Sequence, residues 1–165
     1  MVDAKETIMD WLRDAHAMEV SLVSLLERQS ASLNDKPSIQ MKLNEHIQVT
    51  KEQEKKLEAL IKKMGGSTSG LKEGFGKLFA NFQGLTASAA PDAVVKNALA
   101  GFAVESFEIA CYRSLIAAAD AQGLPDVKRV CQEILDQEVE MANWFQSQIP
   151  HVTTDYLQKS VVKKA

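Results

Sequence analysis

Apolar residues recur at alternating steps of three and four along four stretches of this chain. That is the spacing of one face of an α-helix. The first stripe runs Ile8, Leu12, Ala15, Glu19, Leu22 and Leu26, and the second Ile39, Leu43, His46, Thr50, Gln53, Leu57, Leu60 and Met64. The third is Val94, Ala98, Gly101, Glu105, Glu108, Tyr112, Leu115 and Ala119; the fourth is Val127, Cys131, Ile134, Glu138, Met141, Phe145 and Ile149. Each seam is apolar at both ends and polar in the middle.

Helix signals bound these stripes. Asp3 with Glu6 three residues on reads as a capping box for a first helix over residues 4–32. Asp35 and Pro37 open a second helix, which Gly65-Gly66 stops. Residues 65–93 differ in composition: a Gly/Ser run, then an amphipathic stretch from Leu71 to Phe82 that predicts a short helix. So long a connection suits a crossover running the length of a bundle. Pro91 and Asp92 start the third helix, which ends near Gly123, and Pro125 and Asp126 start the fourth. Pro150 predicts the end of that helix, with a separate short one over 154–162. The expectation is all-α: one four-helix-bundle domain over residues 1–165, with a long crossover between helices two and three.

Composition narrows the class. Of 165 residues, 45% are hydrophobic and 25% charged, which is ordinary for a soluble globular domain. A net charge of −3 with interspersed Lys and Arg argues against a nucleic-acid-binding face. No apolar run approaches the roughly 20 residues of a membrane span. The acidic, amphipathic start predicts no secretory leader. Cys111 and Cys131 lie apart in helical patterns and read as reduced, buried thiols of a cytoplasmic protein.

The polar interruptions carry the candidate chemistry. A buried carboxylate without a partner costs several kcal/mol, so it needs a proton, a cation or a metal. The chain also repeats itself: His16-x-x-Glu19 matches Glu105-x-x-Glu108, and Leu43 to His46 matches Leu135 to Glu138. A two-fold repeat of helical hairpins brings all four polar midpoints to one level. The converging groups are Glu19, His46, Glu105, Glu108 and Glu138, with His16, Thr50, Gln53 and Tyr112 placed to support them. One imidazole and four carboxylates suit iron or manganese, as a dinuclear centre, better than zinc or copper. Such a carboxylate-rich site in a helical bundle is the ferritin-like arrangement. Its usual Glu-x-x-His pairs are missing here, since Leu43 and Met141 stand at those positions; Glu105-x-x-Glu108 can compensate by bridging. The competing reading is a polar network in which a protonated His46 pairs with carboxylates.

Several segments resemble a known family. Asp10 to Glu19, Glu45-His46 with Thr50 and Gln53, Phe107 to Tyr112 and Glu138 to Trp144 are similar to the YciE/YciF family of ferritin-like bacterial stress proteins, nearest its YciE branch. This chain has Ser106 where a His is common in that family and Gln137 where a Glu is common. The resemblance implies a four-helix bundle, a homodimer, expression under stress and a di-iron-type centre, without naming a reaction. The expected function is a metal-binding stress protein, with oxygen or peroxide chemistry open to it. The alternative is a non-catalytic interaction module with a structural polar core. Iron storage would require assembly into a shell.

Overall fold

The computed structural model describes residues 3–68 and 91–162. Four helices account for most of them: α1 (Ala4–Ala31), α2 (Pro37–Lys63), α3 (Ala93–Ala121) and α4 (Pro125–Val162). Among the described residues there is no strand, and no helix is long and apolar enough to cross a membrane. The predicted helix over Leu71 to Phe82 lies outside the described residues.

Local chemistry sets the helix ends. The Asp3 carboxylate accepts from the Lys5 amide at 2.9 Å. Thr7, rather than Glu6, completes that turn, its hydroxyl donating to the Asp3 carbonyl at 3.0 Å. The expected Asp35 cap is not used: Lys36 holds the cap position without a side-chain bond, and Pro37 at the first turn has no amide to satisfy. Both α2 and α3 end in a glycine with positive φ, Gly65 at 81° and Gly123 at 63°. The following amides reach back to the last turn, Gly66 to Ile61 at 2.9 Å and Leu124 to Ala119 at 2.9 Å. Only glycine takes that left-handed turn without a steric penalty.

α4 corrects the expected break at Pro150, because it runs unbroken to Val162. An interior proline costs a helix about 3 kcal/mol. Here Val152 is buried against the bundle, and Thr153 donates to the Ile149 carbonyl at 2.7 Å. Lys36 lies 3.9 Å from Asp155, across from the start of α2. Packing of the last turns therefore outweighs the local signal.

α1 pairs with α2 and α3 with α4; the second hairpin has the more extensive interface. α1 also packs on α3, and α2 on α4. Cross-links give the directions. Lys56 meets Glu133 at 3.3 Å and Lys63 meets Asp126 at 2.7 Å, so α2 and α4 are antiparallel. Tyr112 meets Glu19, and further along α1 Leu26 lines a cavity with the earlier α3 residue Gly101, so α1 and α3 are antiparallel too. It follows that α2 and α3 run parallel on the diagonal. Lys63 and Ala93 therefore lie toward opposite ends of the bundle, about 40 Å apart for a 27-residue helix, as the expected crossover requires.

The four stripes face inward. Leu43, Leu57 and Leu60 are buried, whereas Ile39, Met64 and Val94 near the helix ends, and Ile149 within α4, are half-buried. The charged side of α2 is more than a solvated face. Lys51 reaches Glu27 of α1 at 2.8 Å and Lys56 reaches Glu133 of α4, while Lys55 and Lys62 stay exposed. The core falls into two apolar clusters. One contains Leu12, Met18, Leu57, Ile61, Tyr112 and Ile134; the other contains Leu26, Leu33, Leu43, Ile47, Met141 and Phe145. The first cluster has members on both sides of the glutamates along α1, with Leu12 and Met18 before Glu19 and Leu22 and Leu25 after it.

Candidate metal centre

Every residue singled out in the four seams is buried. Glu19 is 0% exposed, and Glu105, Glu108 and Glu138 are each 1% exposed. Each occupies a core-facing position one or two turns from buried apolar residues on the same stripe, so the helix that buries those residues buries the carboxylate as well.

The structure brings five of them into two overlapping groups. His46, Glu105 and Glu138 offer one ligand atom each, all within 4.8 Å of one another, and so do Glu19, Glu108 and Glu138. Glu138 belongs to both. His46 Nε2 lies 3.3 Å from Glu105 Oε1. Tyr112 donates its hydroxyl to Glu19 Oε1. Gln53 donates to Glu138 Oε1 and, at 3.0 Å, to Gln137 Oε1. The Thr50 hydroxyl donates to the His46 backbone carbonyl at 3.0 Å, a bond within its own helix. His16 is buried but belongs to neither group, and its Nδ1 has no hydrogen-bond partner. The internal repeat pairs His16 with Glu105 in sequence, but the two do not play matching parts.

These environments set the protonation. Burial pushes Glu108 well above the usual carboxylate range, and the charges of Glu138, Glu19 and Glu105 push it further. Burial likewise raises Glu19, with Glu138 next, opposed by the Tyr112 hydrogen bond. Burial lifts Glu105 to about 7, against the hydrogen bond it shares with Glu138. Glu138 is raised by burial and by the Glu105 charge, with His46 and Gln53 opposing. Burial lowers His46 from its ordinary value, with the Glu138 charge opposing. A neutral imidazole keeps a lone pair free, whereas an imidazolium has none. Burial also raises Tyr112, which therefore stays a phenol and a donor.

The donor set fits a hard cation. Glu19 Oε2, Glu105 Oε2, Glu138 Oε2 and both oxygens of Glu108 are buried without a hydrogen-bond partner. Such orphaned acceptors are rare in folded proteins. Two charged carboxylates 4.8 Å apart repel by about 3 to 4 kcal/mol at an effective dielectric of about 20. Either protons or a cation must relieve that repulsion. Oxygen donors with a single imidazole favour iron or manganese over softer metals. Gln53 and Tyr112 each hold one oxygen of a glutamate and leave the other free, as supporting groups around a metal do.

Sequence reasoning missed two participants. Gln137 anchors Gln53, although it lies off the apolar stripe. Gly101 reads as a small seam residue; in the structure, a Cβ there would collide with the Phe145 ring beside the second apolar cluster. Leu43 and Met141, standing where a Glu and a His are usual, both pack into that cluster. Ser106 donates to the Phe102 carbonyl at 2.7 Å and takes no part in either group.

Comparison with known proteins agrees with this architecture. A family described as a domain of unknown function, DUF892, matches residues 3–158. A crystal structure from Xanthomonas campestris pv. campestris is 25% identical, with a TM-score of 0.81, covering 96% of this chain and 99% of that one. The E. coli stress protein YciF is 16% identical with a TM-score of 0.82 over 93% of this chain and 99% of its own. YcfI of Rhodopseudomonas palustris, described as a putative structural protein, is 22% identical with a TM-score of 0.79, covering 88% of this chain and 94% of its own.

Proposed function

The chain belongs to the DUF892 family, and on that premise we propose that it is a stress-response protein, nearest YciE, that binds iron or manganese in its bundle core. The observation that carries this reading is the set of five unpartnered, fully buried carboxylate oxygens on four converging glutamates. Their neighbours are arranged to leave them free, not to satisfy them. The stress role rests on the E. coli stress protein YciF, which shares the fold.

Each residue has a distinct part. Glu138 lies between the two positions and can bridge them. His46 and Glu105 complete one position; Glu19 and Glu108 complete the other. Gln53 orients Glu138, and Tyr112 holds a proton on its own oxygen while donating to Glu19. The apolar clusters around them keep water away and strengthen these electrostatic contacts. A carboxylate-held pair of such metals supplies a redox-active binding position for dioxygen or peroxide. We further propose a cytoplasmic homodimer. Light scattering checks the assembly, since a shell would be needed to enclose a mineral.

Thermal melts of the parent and Glu138→Gln, each with and without Fe(II) or Mn(II), test the reading. A metal at 100 times its dissociation constant adds about 2.7 kcal/mol of stability if it binds only the folded state. For a chain of this size that raises Tm by roughly 5 to 11 °C. Without metal, Glu138→Gln is expected to be neutral or stabilising, because it removes one buried like charge. A variant that is less stable, beside a parent that does not respond to metal, would instead support a structural polar core and an interaction module.

A further inference from the structure

The two seams that join the hairpins differ in chemistry from the surface inward. Between α1 and α3, the wall beside Glu105 is made of Leu22, Leu25, Leu26 and Val104, and Gln29 is the other polar group in that lining. Between α2 and α4, polar side chains follow one another from solvent to Glu138. Lys42 Nζ lies 3.5 Å from Glu140 Oε1, and the two side chains are 30% and 77% exposed. Lys42 stands one turn before His46 on α2, and Glu140 stands two residues after Glu138 on α4. The ion pair therefore closes the outer edge of the seam that holds His46 and Glu138 within.

His46 is the least covered member of the two groups. It is 5% exposed, whereas the four glutamates are 0% or 1% exposed. Its Nε2 faces Glu105, and it shares one position with Glu105 and Glu138. Burial and then Glu138 act most strongly on its pKa; Lys42 and Glu140 are the next charges to reach it, with opposite signs. A hydrated cation entering an apolar layer loses its water without replacement, so it needs a succession of donors. An exposed ion pair contributes little to stability, so parting Lys42 from Glu140 costs the fold little.

We propose that a divalent cation enters the bundle between α2 and α4, held first by the Glu140 carboxylate in place of the Lys42 ammonium and next by His46. This rests on the metal-centre reading and adds to it the side of entry. The ammonium swings out to solvent as the cation takes its place and returns to Glu140 once the ion has moved inward. His46 then passes the ion to Glu105 and Glu138. The competing approach is past Glu54, a half-buried residue of α2 whose charge is felt at Glu19 behind burial, Glu138 and the Tyr112 hydrogen bond.

Stopped-flow mixing of the full-length protein with Co(II), followed by its ligand-field absorption, tests the route. The measurement is made at about 0.15 M salt, where the field of an exposed charge is screened beyond about 8 Å. Glu140→Gln is expected to slow association several-fold, and Lys42→Met to speed it several-fold. Dissociation into a chelator should change by the same factor in the same direction, because a path alters both rates and leaves the equilibrium unchanged. Lys128→Met removes the same charge from a pair with Asp120 near the α3–α4 turn, and should leave both rates as in the parent. Parent-like rates in Glu140→Gln and Lys42→Met overturn the proposal. So does a changed dissociation constant with an unchanged dissociation rate, which is the mark of a charge acting through its field alone. Slowing by Glu54→Gln and not by Glu140→Gln places entry on the other side of α2 and overturns it as well. A parent that takes up no Co(II), Fe(II) or Mn(II) loses the metal reading and the route together; uptake at rates that Glu140 and Lys42 do not affect loses the route alone.

Discussion

The two positions around Glu138 share that residue but differ in the groups that complete them. One is faced by His46 and Glu105, the other by Glu19 and Glu108. In the first, a neutral imidazole reduces the number of like charges. The second holds carboxylates alone, and there Tyr112 supplies a single hydrogen bond. Burial is nearly equal on the two sides, so burial does not explain the contrast. What differs is the count of negative charges facing any cation. The all-carboxylate position should depend more on a metal, and the mixed position should be quieter without one.

The largest effect expected is from Glu138→Ala, which removes the shared group. Metal analysis after loading with Fe(II) should show loss at both positions. Retention of one ion per chain would mean that the two groups act independently. Next come Glu108→Ala and His46→Ala, each of which should lower the stoichiometry by one ion. If Glu108→Ala empties both positions, the all-carboxylate side fills first and the other depends on it.

The dependence on pH is smaller and has a definite sign. In the metal-free protein Glu105 titrates at about 7, against 4.5 when exposed. The folded state therefore holds its proton longer than the unfolded state. Its stabilising share is complete below 4.5 and is lost as pH rises through 7, on the order of 3 kcal/mol. Glu19, Glu108 and Glu138 shift the same way, and His46, lowered by burial, opposes them. Denaturant melts of metal-free protein between pH 5 and 7.5 should show falling stability, whereas metal affinity should rise over the same range as protons leave. Stability that climbs with pH would mean that His46 outweighs the glutamates. The smallest effect is that of Tyr112→Phe. It removes one hydrogen bond, worth about 1 kcal/mol, from the all-carboxylate position only. Calorimetry should show weaker binding of one ion, with the other unchanged.

Much of this was legible in the sequence because charge in an apolar seam is a loud signal. Glu19, Glu105, Glu108, Glu138 and His46 each break a run of core positions, and all are buried together. The helix ends at Gly65 and Gly123 were equally plain, since positive φ calls for glycine. Other features depend on the packing between helices, which periodicity does not encode. His16 lies on the right helix near Glu19, yet its ring is left out of both groups. Gln137 sits off the stripe and still anchors Gln53. Pro150 reads as a helix stop, and only the burial of Val152 beyond it explains why α4 continues.

The order of the helices has a consequence for when a newly made chain could first hold a metal ion. Neither hairpin alone can assemble a complete group. His46, Glu105 and Glu138 come from α2, α3 and α4, whereas Glu19, Glu108 and Glu138 come from α1, α3 and α4. The supporting bonds span similar separations, 93 residues from Tyr112 to Glu19 and 85 from Gln53 to Glu138. Closing loops of that length is slow compared with forming either hairpin. During synthesis, an ion therefore finds no three-residue set until Glu138 has left the ribosome and the second hairpin has docked on the first. On the metal-centre reading, capture of an ion would mark the completion of folding and could not act as its nucleus.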